Sequence, residues 1–118
     1  MPAATFIAPD LVLTPIPDSE AFRGSYKGAP VKCALVVNHG DNCIILLDPD
    51  SSEKPRFENL FCLARDGDIV WTASLPETRD TFVELRFRGE QVVANSWSAF
   101  LLTIDPSTGS VLNCEFTK

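Results

Sequence analysis

Thr81-Phe82-Val83-Glu84-Leu85-Arg86-Phe87-Arg88 is followed, across Gly89-Glu90, by Gln91-Val92-Val93-Ala94-Asn95-Ser96-Trp97. In the first run Val83, Leu85 and Phe87 alternate with Glu84, Arg86 and Arg88, the period of two that sends successive side chains to opposite faces of a sheet. Two such runs joined by a glycine-containing dipeptide form an antiparallel hairpin. Ala99 to Ile104 and Ser110 to Phe116 repeat the arrangement across Asp105-Pro106-Ser107-Thr108-Gly109, so the last third of the chain reads as a β-meander.

Upstream the pattern continues. Asn59 to Ala64 turns at Asp66-Gly67 and returns through Ile69, Trp71 and Ala73, ending at Leu75-Pro76-Glu77-Thr78. Cys43 to Leu47 is a continuous apolar run, as expected of a central strand covered on both faces. It pairs across His39-Gly40-Asp41-Asn42 with a strand in which Val31, Cys33, Leu35 and Val37 alternate with Lys32, Ala34, Val36 and Asn38. Asp48 to Pro55 reads as a loop. Residues 1–17 carry four of the nine prolines and predict an extended arm with at most one short strand at Leu11 to Thr14. Asp18 to Arg23 predicts a single helical turn capped by Asp18 and stopped by Gly24, and Gly28 and Pro30 mark a loop. The expectation is one all-β domain over 1–118, with a proline-rich N-terminal arm and loop at 1–30 and a β-sheet core at 31–118. About eight antiparallel strands form a small sandwich or partial barrel.

Sixteen acidic against ten basic side chains give a net charge of -6, a field that repels phosphate backbones and anionic membrane surfaces. Nucleic acid and membrane are therefore not expected partners; a basic protein is the kind this field attracts. Met1 to Phe6 lacks a basic region, and Pro15 and Pro17 cut short the apolar run Leu11-Val12-Leu13, so neither a signal peptide nor a membrane span is predicted. Cys33, Cys43, Cys62 and Cys114 form no C-x-x-C pair and read as small buried hydrophobes of a reducing cytoplasm.

The segments Leu60-Phe61-Cys62-Leu63-Ala64-Arg65-Asp66-Gly67-Asp68-Ile69-Val70-Trp71 and Leu101-Leu102-Thr103-Ile104-Asp105-Pro106-Ser107-Thr108-Gly109-Ser110-Val111-Leu112-Asn113 look alike. They resemble the repeat of quinoprotein-type (PQQ-like) β-propellers, whose blades run strand, Asp, Thr-Gly or Asp-Gly turn, strand, Trp. Asp66, Gly67 and Trp71 match, as do Asp105, Thr108 and Gly109, while Asn113 stands where the family has its Trp. Val92 to Lys118 also looks like small stand-alone bacterial proteins of unassigned function. The resemblance implies propeller-blade-like hairpins. A closed propeller needs at least four blades of four strands, more than this chain supplies, so no quinone cofactor is implied.

His39 is the sole histidine, so any Ser-His-Asp or Cys-His arrangement must use it, with Asp41 beside it to orient the ring. No G-x-S-x-G elbow accompanies it, and no catalytic residue is assigned. Asp48-Pro49-Asp50-Ser51-Ser52-Glu53 resembles the start of a calcium loop, but Pro49 and the missing glycine and glutamate break the pattern, and zinc has no ligand set; no metal and no cofactor is expected. A glycosidase-type carboxylate pair would be drawn from Asp41, Asp48, Glu58, Asp66, Asp68 or Glu84, acids that turns ordinarily use to hold local backbone donors. Trp71 reads as core; Trp97, after polar Asn95 and Ser96, either closes the edge of the core or stands partly exposed as a recognition hot spot. The expectation is a non-enzymatic binding module, with Trp97, Asn95, His39 and Asp41 as binding candidates and a protein partner or self-association through a sheet edge. One concrete form is an acidic antidote that masks a basic toxin. The alternative is a small-ligand carrier or small enzyme with a pocket near His39 and Trp97.

Overall fold

The computed structural model describes residues 5–117 apart from Glu20 and Glu53, and not the side chains of Phe6, Ala8, Cys33 and Asn38. The sequence readings that fall on Met1 to Ala4, and on the burial of Cys33, lie outside it. Twelve strands follow in order: β1 (Phe6–Ala8), β2 (Leu11–Pro15), β3 (Phe22–Tyr26), β4 (Ala29–His39), β5 (Asn42–Leu47), β6 (Arg56–Phe57), β7 (Leu60–Leu63), β8 (Ile69–Thr72), β9 (Asp80–Arg88), β10 (Gln91–Ser96), β11 (Phe100–Ile104) and β12 (Val111–Phe116). They form a seven-stranded sheet, β1-β2-β3-β4-β5-β7-β8, and a five-stranded sheet, β12-β11-β10-β9-β6. Pairing is antiparallel except for β6 with β9. A single 3-10 turn at Pro49–Ser51 is capped by the Asp48 carboxylate, which accepts from the Asp50 amide at 3.0 Å.

Two apolar clusters show how the sheets stack. Ile44 and Leu46 of β5, Leu60 and Cys62 of β7 and Trp71 of β8 pack against Phe82, Val92, Ala94, Leu102 and Ile104 of the five-stranded sheet. The alternate residues of the same central strands, Ile45, Leu47, Phe61 and Leu63, pack against Leu11, Leu13, Phe22, Val31 and Ala34 of β2 to β4. The seven-stranded sheet therefore curls, folding its N-terminal half over the face of β5 and β7 that the other sheet leaves open. Coverage on both faces is what the unbroken apolar run at Cys43 to Leu47 requires.

The proline-rich segment enters this architecture as three strands. Leu11 and Leu13 are buried, and Phe22, 5% exposed, sits opposite Pro15 and Ala34. Among the described residues of Asp18 to Arg23 no helical turn forms: Asp18 has φ +61°, outside the helical region, and burial of Phe22 draws the chain into a strand. A tight turn joins β2 to β3 instead, with the Ile16 amide donating to the Ala21 carbonyl at 3.1 Å.

Bulges correct three readings of strand faces. In β9 the register skips Val83, so Phe82 is fully buried and Val83 is exposed. In β4 an extra residue between Val31 and Ala34 puts both on the core side and leaves Leu35 exposed. In β8 an extra residue opposite Cys62 and Leu63 buries Trp71 and turns Ile69 outward. The cysteines are not uniformly buried either, since Cys62 is buried, Cys43 is half-buried and Cys114 is exposed on an edge strand.

A polar staple joins the sheets. Asn59, fully buried, donates through Nδ2 to the Leu47 carbonyl at 2.7 Å and the Phe82 carbonyl at 2.8 Å, while its Oδ1 accepts from the Phe82 amide at 2.8 Å. All three partners are backbone groups that burial would otherwise orphan.

Candidate functional site

Three hairpin turns converge at one end of the sandwich: Gly40-Asp41 between β4 and β5, Gly89-Glu90 between β9 and β10, and Asp105 to Gly109 between β11 and β12. Between them lies an open cleft of about 660 Å³ lined by His39, Phe87, Glu90, Gln91, Asp105, Pro106, Ser107 and Leu112, with Gly40 and Gly89. The His39 and Phe87 rings stand 6.5 Å apart and 26° from parallel.

The Asp105 to Gly109 lip is built from local bonds. Asp105 Oδ1 accepts from the Ser107 amide at 2.8 Å, and the Gly109 amide donates to the Asp105 carbonyl at 2.7 Å. Beneath it Trp71 Nε1 donates to the Pro106 carbonyl at 2.8 Å. Gly109 has φ +76°, and a Cβ there would lie 2.6 Å from the Trp71 ring, so the lip closes only with glycine at this position.

His39 is thus on the cleft, but Asp41 does not orient it: the Asp41 carboxylate accepts from Arg65 at 2.8 Å, an exposed pair. Asn95 lies on the outer face of β10, where its Oδ1 accepts from Arg86 at 3.0 Å beside the Arg86–Glu84 pair. Trp97 stands 76% exposed at the far end of β10, about 20 Å from Gln91 at the usual rise per residue. The structure therefore does not bring Trp97 to the His39 cleft. The Trp97 turn is held firmly, its amide donating to the Thr81 carbonyl at 2.8 Å and the Ser98 amide to Asp80 Oδ1 at 2.9 Å.

The carboxylates do not pair. Asp48 and Asp66 accept local amides, and Glu58 and Glu84 contact Arg56 and Arg86. Asp80, which sequence reasoning passed over, is 2% exposed with Oδ2 and the neighbouring Thr81 Oγ1 lacking hydrogen-bond partners. A lone acid at the start of an alternating strand carries no signal of such burial. Among the described residues, no group of three or more His, Cys, Asp or Glu gathers to hold a metal. The thiols are held in the protonated form: burial, with the Cys43 charge second, pushes Cys62 up to about 11, and burial raises Cys43 and Cys114, the latter with a smaller contribution from Asp80.

Among the described residues β8 and β12 each form the outer edge of their sheet, with no further strand beyond them. All of β12 is exposed. Val111, Cys114 and Phe116 lie across from Ile104, Leu102 and Phe100, so their side chains share the core-facing side, with no strand of the other sheet above them. Ile69 and Val70 of β8 are exposed too. The Thr117 amide donates to the Ala99 carbonyl at 2.8 Å; by antiparallel alternation, Cys114 and Phe116 turn their N–H and C=O groups away from β11, toward solvent. Leu112, the extra residue in the β12 bulge, also lines the cleft, making edge and cleft one continuous surface.

No helix among the described residues is long and apolar enough to cross a membrane. No curated protein matches the chain. Among solved structures it is similar to the crystal structure of the computationally designed Ika8 protein, at 12% identity and a TM-score of 0.54. That match covers 97% of this chain and 36% of the designed one, and it bears on the fold alone. Neither the structural match nor the family description names a quinoprotein repeat. The family model described as Domain of unknown function (DUF7957) matches residues 30–116, from the start of β4 to the end of β12, and the chain belongs to that family.

Proposed function

We propose that this protein is a non-enzymatic binding module of the cytoplasm that takes an extended segment of a basic partner protein along the outer edge of β12. One observation carries the reading: an edge strand with outward backbone groups at Cys114 and Phe116, an uncovered apolar face, and a cleft at its end. Proteins blunt such edges with charges, proline, bulges or a covering element; Val111 to Phe116 has no lysine or proline, and its bulge at Leu112 and its Glu115 leave the outward groups of Cys114 and Phe116 unpaired among the described residues. Adding a strand would supply the missing backbone partners and cover the apolar face. The bulge at Leu112 confines regular pairing to Asn113 through Thr117. Net charge -6 favours a basic partner, as an antidote to a basic toxin would need, and it sets two copies of this chain against each other. The free thiols at Cys62 and Cys114 accord with a reducing compartment.

Peptide display against the immobilised protein tests this, with Cys114→Pro as the control. Because the Cys114 amide points away from β11, proline there removes the outward donor and spares the existing ladder. Basic, strand-forming peptides that lose at least roughly tenfold in affinity for the variant are expected. Peptides that bind both proteins equally, or a wild-type protein that sediments as a dimer broken by the variant, would overturn it. The second reading, a small-ligand carrier, is favoured by the cleft volume, which falls in the range of ligand sites.

A further inference from the structure

We propose that the His39–Phe87 cleft is a guanidinium pocket: it receives an arginine side chain of the basic segment that docks on β12, an inference that rests on the docking reading above. Charge sets the sign of the occupant. Glu90 and Asp105 stand on opposite lips, and among the described residues no lysine or arginine lines the cleft. Phosphates and carboxylates are repelled there, and a cation is drawn in.

Shape and polarity then separate the cations. The near-parallel His39 and Phe87 rings offer flat faces, on which a planar guanidinium stacks better than a compact ammonium. A guanidinium also carries five N–H donors to be matched. Acceptors are at hand: the Glu90 carboxylate, the Asp105 oxygen not engaged by the Ser107 amide, the Gln91 amide oxygen and the Ser107 hydroxyl. Leu112 and Pro106 supply apolar wall for the methylene stem. Because Leu112 adjoins the paired stretch Asn113 through Thr117, the Asn113 end of a chain docked on the edge lies next to the cleft.

His39, as the sole histidine, is a built-in reporter, its imidazole protons giving one assignable set of NMR signals. Titration with N-acetyl-arginine methylamide is expected to shift them saturably, with the lysine analogue binding roughly tenfold more weakly and N-acetyl-glutamate methylamide not at all. Glu90→Gln, in an exposed turn, should weaken arginine binding several-fold, and Phe87→Leu should erase the preference for arginine over lysine. A His39 spectrum unmoved by arginine at about 50 mM, or one moved equally by arginine and lysine, overturns the pocket assignment. Cys114→Pro separates the two proposals. If arginine fails while display peptides remain sensitive to Cys114→Pro, the pocket is wrong and docking stands; if arginine binds and no peptide depends on Cys114, docking is wrong.

Discussion

Gly109→Ala should be a damaging single-methyl change at the lip of the cleft. An alanine at φ +76° pays about 1–2 kcal/mol for the left-handed region, offset by about 0.4–1 kcal/mol because alanine restricts the unfolded chain more than glycine. The new methyl would also stand 2.6, 2.7 and 2.8 Å from three Trp71 atoms. Trp71 cannot retreat freely, since its ring is packed in the inter-sheet core and its Nε1 is bonded to the Pro106 carbonyl. Overpacking of this kind costs about 1–3 kcal/mol, so the expected total is about 3 kcal/mol. Gly89→Ala is the internal control: φ is +62° with nothing within 4 Å of the added methyl, and it should cost about 1 kcal/mol. With about 4 °C of Tm per kcal/mol for a domain this size, melts followed by near-ultraviolet dichroism should separate the variants by about 8 °C. Gly109→Ala no worse than Gly89→Ala would refute the view that Trp71 braces the lip. The same variant should weaken arginine binding, because the lip carries Asp105, Pro106 and Ser107.

Asn59→Ala strands the Leu47 carbonyl and both Phe82 backbone groups in a dry interface, and urea unfolding should show a loss of about 4 kcal/mol; a loss under about 1 kcal/mol would mean that water or a neighbour replaces the amide. Ala99 sits at φ +70° in the β10–β11 turn, so Ala99→Gly should leave stability unchanged or raise it by up to about 1 kcal/mol in the same assay, the reverse of the usual effect of glycine. Burial, with Cys43 as the second cause, raises Cys62 from 9.0 to about 11, so the folded state holds this proton where the unfolded chain releases it. Its contribution is whole below pH 9 and is lost as pH rises toward about 11; wild-type protein should therefore lose more stability than Cys62→Val between about pH 8 and pH 10.5, and parallel losses would disprove the shift.

Part of the candidate site was legible. The hairpins, their turns and the isolation of His39 follow from spacing, and together they place the cleft's residues at turns. What alternation misjudged were the bulges: one extra residue at Val83, and others in β4 and β8, moved individual side chains to the opposite face. Such insertions answer to the partner strand's register, which a single strand's pattern does not contain. Asn59 and Asp80 were hidden for a related reason, since their importance comes from what they meet across space.

The sequence by itself determined the class of fold and the order of its hairpins, because side-chain period, turn glycines and prolines act over a few residues and need no distant partner. The double-sided burial of β5 was legible too, in an apolar run no solvent-facing strand would tolerate. Only the tertiary structure decided that the proline-rich segment becomes three strands, that His39 and Trp97 lie at opposite ends of the molecule, and that the outer edge of β12 meets no further strand among the described residues. Each is settled by which strands run side by side, a matter of long-range burial competing among many pairings that local pattern weighs alike.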